Sequence, residues 1–254
     1  MFNYPLGGKA HIYIDGRDLS EFGAKLVTNY PLSGYEIANT YHQGIDRNSF
    51  VLFRQTHGLL SITLPLDFYG SSKMDTVEKM TAFVAQCEGQ VELNLSDGFA
   101  YTCMLEAIGA TSWANDEICS VDYSFIGIKH KPPIHISGAA PLLLYNAATW
   151  PRNDCRITIK NFKITTDAPV VISLSHDGST YLSWQIDTSS GLYAGGDLVL
   201  DGIDKRNLYN TGNVPSNTMV WTDYPYLMPG KNIITVSGAL TTADVELHYI
   251  PTYL

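Results

Sequence analysis

Residues 199–238, VLDGIDKRNLYNTGNVPSNTMVWTDYPYLMPGKNIITVSG, combine a strand, a long polar loop, a tight turn and a second strand. Pro229 and Gly230 predict the tight turn, because proline presets φ and glycine tolerates a positive φ. The NIITVSG segment that follows is rich in β-branched residues, which suit a strand. This part of the chain is therefore predicted to form a late hairpin of a β-rich fold.

The same stretch resembles the C-terminal domain of the siphophage distal tail proteins, the Dit family. In that family a DG loop leads through a long polar connection to an aromatic, Leu, Pro-Gly and Asn run before a strand. The matching residues here are Asp201-Gly202 and YPYLMPGKNIITV at 224–236. The resemblance implies a galectin-like β-sandwich at this end of the chain.

Short apolar runs at regular intervals indicate strands throughout residues 141–254, where no helical period is found. Such spacing predicts a sandwich or jelly roll. The predicted strands are RITIKNFKI (156–164), PVVISLSHD (169–177), YLSWQID (181–187), DLVL (197–200), NIITVSG (232–238) and ADVELHYI (243–250).

The preceding half of the chain contains one helical pattern, SSKMDTVEKMTAFVAQCEG, which predicts a helix over about 72–88. Ser71 or Ser72 can cap its start and Gly89 can end it. The remainder alternates with period two, as in SITLPLDF, and predicts half-buried strands. The predicted apolar stripe of the helix is Met74, Val77, Met80, Phe83, Val84 and Cys87.

After the helix, QVELNL and FAYTCMLEAIG flank Asp97 and Gly98, which predicts a hairpin with a type I′ turn. A further strand is predicted at 118–128, with Val121, Tyr123 and Phe125 on one face.

The predicted fold class is mainly β, an N-terminal β-domain with a single α-helix followed by a C-terminal galectin-like, jelly-roll-like β-sandwich. The N-terminal domain covers 1–130 and the C-terminal domain covers 141–254. The Pro/Gly/Ala-rich segment at 131–140 is predicted to be a linker, since Pro132 and Pro133 impose an extended path. His130 and His135 lie on either side of the proline pair and are interpreted as part of a solvated spacer.

The opening HIYIDGRDLSEFGAKL at 11–26 is also similar to the usual beginning of the Dit family, so that the resemblance extends over nearly the whole chain. It implies a homohexameric ring, single or stacked with a second ring, at the tip of a long non-contractile tail. The implied partners are the major tail tube protein and a tail-associated hub or receptor-binding protein. The implied location is the virion tail tip, after synthesis in the cytoplasm of a bacterial host.

A closing ring needs a surface on each subunit that fits the next subunit. The candidate is YEIANTYHQGIDRNSFVLFRQT at 35–56, two strand-like arms around Gly44 with more aromatic residues than a solvated hairpin needs. An ordinary core hairpin is the alternative. The candidate inter-subunit residues are Tyr35, Ile37, Tyr41, Phe50 and Phe53.

Composition excludes several classes of protein. The 254 residues carry 16 Lys and Arg against 25 Asp and Glu, a net charge of −9, which argues against specific nucleic-acid binding. No apolar run approaches the length of a membrane span, and MFNYPLGG does not read as a secretion signal, so we expect a soluble chain made in the cytosol. The isolated Cys87, Cys103, Cys119 and Cys155 are expected to be buried free thiols.

Two other functions remain open. A carbohydrate-binding β-sandwich would need an exposed aromatic platform, for which the candidates are Trp150, Trp184 and Trp221. Alternation places Trp184 on the face of Leu182 and Ile186, which favours a core position. Another tail tube or adaptor subunit would form rings too, but without a separate C-terminal sandwich.

The sequence contains no nucleophile elbow, zinc-protease, P-loop or dinucleotide-binding motif. The carboxylate pairs Asp15 with Asp18 and Asp201 with Asp204 each lie beside a glycine, which favours turns stabilised by backbone hydrogen bonds. We therefore assign no catalytic residue, no cofactor and no metal ligand, and expect a protein that is not an enzyme.

Overall fold

The computed structural model describes residues 11–27, 37–43, 50–163, 169–187, 194–210, 212–214, 219–238 and 243–254. The chain divides into two compact units, one of residues 1–130 with Leu254 and one of residues 131–253. Strands dominate both units, and the described residues form a single α-helix, which confirms the predicted fold class. No helix within these ranges is long and apolar enough to span a membrane.

The first unit is built on one antiparallel sheet with the strand order β2-β1-β7-β8-β10-β6-β3, and β9 pairs with β10. Its elements are β1 (Tyr13–Ile14), β2 (Arg17–Asp18), the 3-10 helix η1 (Leu19–Phe22), β3 (Ala24–Leu26), β4 (Ile37–Gln43), β5 (Phe50–His57), β6 (Leu60–Tyr69), α1 (Lys73–Gln86), β7 (Gln90–Asn94), β8 (Ala100–Ile108), β9 (Ser112–Asn115) and β10 (Ile118–His130).

Period-two alternation puts one face of this sheet in the core. Along β6 the side chains of Ile62, Leu64, Leu66 and Phe68 are fully buried, as the sequence predicts. Phe83 of α1 packs edge-on against this face, with ring centroids 5.6 Å from Phe68, 4.7 Å from Tyr123 and 5.7 Å from Phe22. The strand predicted at 118–128 is confirmed as β10, and Val121, Tyr123 and Phe125 are all buried.

The helix α1 begins where the sequence places it, because the Ser72 side chain accepts a hydrogen bond from the Asp75 amide. The predicted apolar stripe is correct at its C-terminal end and wrong at its start, where Met74 and Val77 are exposed. Thr76 faces the sheet instead, and its Oγ1 donates to the carbonyls of Ser72 and Glu117. The helix is therefore rotated so that Thr76 is buried in its first turn.

The predicted hairpin of β7 and β8 is present, with Asn94 opposite Ala100. Its turn is not the predicted two-residue type I′ turn. The positive φ values fall at Ser96 and Gly98, since the Ser96 amide donates to Asn94 Oδ1 and the Phe99 amide donates to Asp97 Oδ1. These local side-chain acceptors stabilise a longer loop.

The second unit consists of two antiparallel sheets, with the orders β11-β22-β13-β16-β17-β18 and β12-β21-β14-β15-β19, and β20 pairs with β13. The strands are β11 (Ile134–Ala139), β12 (Leu142–Asn146), β13 (Asn153–Lys163), β14 (Val170–His176), β15 (Ser179–Ile186), β16 (Ala194–Asp201), β17 (Arg206–Tyr209), β18 (Gly212–Asn213), β19 (Met219–Trp221), β20 (Tyr226–Leu227), β21 (Gly230–Ser237), β22 (Asp244–Tyr249) and β23 (Thr252–Tyr253).

One hydrophobic core lies between these two sheets. Ile157 and Leu200 from the first sheet and Ile172, Trp184 and Ile234 from the second are fully buried in the same cluster. Two sheets that bury their inner faces against each other form a β-sandwich. The six strands predicted from apolar runs in this half are all present.

The predicted linker at 131–140 is shorter in the structure. Residues 134–139 form β11, an edge strand that pairs with β22 from Ile134–Tyr249 to Ala139–Asp244. The reason is the alternation of Ile134 and Ile136, which pack against the core. His135, interpreted from the sequence as part of a solvated spacer, is thus a sheet residue.

Candidate interaction surfaces

The hairpin predicted to contact a neighbouring subunit forms as β4 and β5, which pair with each other in an antiparallel ladder. Ile37 and Tyr41 lie on β4, Phe50 and Phe53 lie on β5, and Tyr35 lies outside the described residues. Among the described strands, these two form a sheet of their own. A two-stranded hairpin is at best marginally stable in water without a surface to pack on.

Further apolar side chains of the first unit face solvent on α1 and β8. Met74 and Val77 are one helical turn apart, and Met104 and Ile108 lie on β8. The sequence pattern predicts that the two α1 residues are buried. They are exposed because the helix is rotated so that Thr76 faces the sheet instead. Exposed apolar side chains that cluster are typical of protein contact surfaces.

The three tryptophans considered as saccharide platforms have different environments. Trp184 is 0% exposed in the sandwich core, so it offers no platform, in agreement with its strand alternation. Trp221 lies directly opposite Trp184 on β19 and is 36% exposed, and its ring centroid is 6.5 Å from that of Tyr224. Trp150 is half-buried, and its amide donates to the Thr252 carbonyl.

The edge strand β12 exposes two large side chains that sequence reasoning did not single out. Leu143 is 59% exposed and Tyr145 is 73% exposed, while the alternate residues Leu142 and Leu144 are buried. Period-two alternation in LLLYN predicts that Leu143 and Tyr145 share the exposed face. Because three leucines follow one another, this alternation is not visible in the residue types. An exposed apolar edge strand is a ready site for association.

The other sheet carries a row of charged and imidazole side chains on its outer face. The residues lie directly opposite one another on five successive strands, in the order His135, His248, Arg156, Asp201 and Arg206. They come from segments far apart in the sequence, and only the strand order brings them together.

Asp201 is the buried member of this row. Its Oδ2 is 2.8 Å from Arg156 Nη2 and 3.7 Å from Arg206 Nε. Burial opposes its ionisation, but hydrogen bonds from the Asp204 amide and Arg156 outweigh burial and hold the pKa of Asp201 below its ordinary value. The carboxylate therefore serves as a fixed acceptor within the fold.

Three of the four paired carboxylates accept backbone amides, as the sequence predicts, whereas Asp204 pairs with Arg156 and Arg206. Asp201 Oδ1 accepts from the amides of Ile203 at 3.0 Å and Asp204 at 3.1 Å. Asp18 caps η1, and hydrogen bonds from Ser20 and His11 lower its pKa to about 2. Asp15 Oδ1 accepts from the Glu92 amide at 2.8 Å.

The four cysteines and His130 are enclosed within the fold. All four cysteines are free and buried, as predicted, and burial raises the pKa of Cys87 and Cys103 to about 12. His130 is buried, and its Nε2 is 2.8 Å from Thr102 Oγ1. Across the ranges that the structure describes, no three His, Cys, Asp or Glu side chains group in a way that could hold a metal ion.

The sequence matches no protein-family model, and no curated protein matches it. Among solved structures, it is similar to the Dit (gp 19.1) protein of phage SPP1, described as a paradigm of the hub adsorption apparatus in phages that infect Gram-positive bacteria. The identity is 12% over 96% of this chain and 99% of that one, with a TM-score of 0.71. The chain thus has the fold of the SPP1 Dit protein along nearly its whole length.

Two structures of the phage p2 baseplate in its activated conformation are also similar, each at 12% identity. The structure with Ca has a TM-score of 0.44 and covers 92% of both chains. The structure with Sr has a TM-score of 0.47 and covers 96% of this chain and 98% of that one.

Proposed function

We propose that the chain is a structural protein of a long non-contractile phage tail, a distal tail protein of the Dit kind that works by assembly and not by catalysis. The observation that carries the proposal is the fold shared with SPP1 Dit across both units. Fold alone does not fix function. The β-sandwich of the second unit and the single helix of the first agree with the architecture that the sequence resemblance implies.

The ring of six copies, single or stacked with a second ring, is proposed to form through the first unit, residues 1–130. A closed ring needs two different, complementary surfaces on each subunit. The β4–β5 hairpin is proposed as one of them, with Tyr35, Ile37, Tyr41, Phe50 and Phe53 as contact residues. Its pairing as a separate two-stranded sheet supports this, since packing on a neighbour would supply the stability that such a hairpin lacks.

The proposed partners follow from this position in the tail. The ring would join the major tail tube protein on one side to a hub or receptor-binding protein on the other, at the virion tail tip. An acidic chain suits a ring through which DNA passes, because protein and phosphate repel each other. The second unit, residues 131–253, is proposed to serve as the scaffold for the tip proteins.

Immunoelectron microscopy of phage particles tests this function directly. Antibodies raised against the purified chain are expected to label one site per particle, at the end of the tail distant from the head. Label along the whole tail would identify a tube subunit instead. Label on the head, or particles without label although the denatured protein is detected in lysates, would contradict the proposed function.

A further inference from the structure

Two histidines face each other across the edge of the second unit. His135 on β11 lies directly opposite His248 on β22, with ring centroids 4.3 Å apart and ring planes within 11° of parallel. In the part of the chain that the structure describes, β11 is an edge strand, and β22 is its ladder partner. The stacked pair therefore contributes directly to holding β11 on the sheet.

The charged side chains around the pair lie on the neighbouring strands. From β13, Arg156 lies directly opposite His248 and adds a positive charge on that side. Asp201 on β16 is a compensating carboxylate, but it is shared by Arg156 and Arg206. Glu246, on the same face of β22, lies 3.3 Å from Lys160 Nζ.

The pair lines a shallow depression of about 420 Å³ on the outer face of the sheet, together with Ser137, Arg156, Thr158 and Glu246. Burial, followed by His135 and Arg156, lowers the pKa of His248, and Asp201 opposes this only in part. A lowered pKa means that the neutral imidazole is favoured while β11 is in place.

We propose that the stacked His135 and His248 form a pH-sensitive contact that holds β11 on β22 when the rings are neutral and releases it when they are protonated. Two imidazolium rings stacked at this distance repel each other, and Arg156 adds to the repulsion. Release frees the rings to become hydrated and charged.

The direction of the pH dependence follows from the lowered pKa of His248. With β11 released, His248 returns to the ordinary histidine value of about 6.5. At pH values between the ordinary histidine pKa and the lower pKa of the paired state, the released state therefore binds more protons than the paired state. Pairing of β11 is thus most stable above about pH 6.5, weakens as the pH falls through that value, and levels off below the paired-state pKa.

Release would take residues 134–139 out of the ladder with β22. The contact would respond to acidification without a ligand or a covalent change.

Hydrogen exchange of the full-length protein, read by mass spectrometry at about pH 7 and about pH 5 with correction for intrinsic rates, tests this contact. Protection of peptides covering 134–139 is expected to be lost at the lower pH. Peptides covering β14, in the centre of the opposite sheet, are expected to keep their protection. Equal loss in β14, or no loss in β11, would overturn the proposal.

A variant with both His135→Gln and His248→Gln provides the second readout, because glutamine cannot be protonated in this range. In this variant the protection of 134–139 is expected to be independent of pH. His11→Gln is the matched control, since His11 is exposed and pairs with a carboxylate, Asp18. A pH dependence that survives in the double variant, or disappears in His11→Gln, would contradict the assignment.

Discussion

Asp201 lies directly opposite Arg156 on neighbouring strands, and its Oδ2 accepts a hydrogen bond from Arg156 Nε at 2.9 Å. The Asp201 side chain is only 1% exposed, so the carboxylate of this ion pair is shielded from solvent. Asp201→Asn keeps the shape and the acceptor for the Ile203 and Asp204 amides but removes the charge. We expect the free energy of unfolding to fall by about 2 kcal/mol, the scale of a charged hydrogen bond, measured by chemical denaturation.

Asp204→Asn is the matched control, since Asp204 also contacts Arg156 but is 45% exposed. Its effect is expected to stay below about 1 kcal/mol. Because the pKa of Asp201 is lowered, its contribution is present above the ordinary value and is lost as the pH falls through 3.8 towards the folded value. An Asp201→Asn protein with unchanged stability at neutral pH would show that the pair contributes nothing.

The paired tryptophans Trp184 and Trp221 should respond very differently to truncation. Trp184→Ala is expected to lower the free energy of unfolding by roughly 3 to 5 kcal/mol, because it leaves a cavity in the core. Trp221→Ala is expected to cost less than about 1 kcal/mol, as a partly exposed edge residue. Denaturant titrations followed by circular dichroism measure both, and equal costs would contradict the sandwich packing described above.

The four cysteines should be unreactive in the folded protein. Burial raises the pKa of Cys87 and Cys103 to about 12, and the thiolate is the form that attacks disulfide reagents. With a colorimetric thiol reagent, we expect no rapid reaction in native buffer and reaction of all four in guanidinium chloride. A fast-reacting native thiol would contradict the burial, and fewer than four in denaturant would reveal a disulfide.

The proposed ring surface is tested by a double substitution in the β4–β5 hairpin. Tyr41→Ser with Phe53→Ser is expected to shift the protein from rings to smaller species in negative-stain images, because it removes apolar contact area. Ile203→Ser with Val220→Ser is the control in the second unit and should leave rings intact, although both side chains are exposed. The comparison requires that both variants have the same unfolding temperature as the unsubstituted chain.

Much of the fold could be predicted from local patterns. Alternation identified the buried face of β6 from Ile62 to Phe68, and short apolar runs identified six strands of the second unit. The start of α1 at Ser72 followed from capping chemistry. These features depend on residues close together in the sequence, which is why pattern and propensity are sufficient for them.

The predictions that were wrong have a common cause, which is contact between residues far apart in the sequence. Met74 is exposed because Thr76 finds an acceptor at Glu117, 41 residues away. Residues 134–139 are a strand because β22, more than a hundred residues later, pairs with them. The meeting of His135 with His248 and of Arg156 with Asp201 depends on the strand order, which no local pattern specifies.

The solution mass of the purified chain tests the central claim most directly, by light scattering after size exclusion at physiological and low salt. The account predicts a particle of about six or twelve times the 28.0 kDa of one chain, for a single or a stacked ring. A mass of 28.0 kDa at every protein and salt concentration would contradict a protein that forms its own ring.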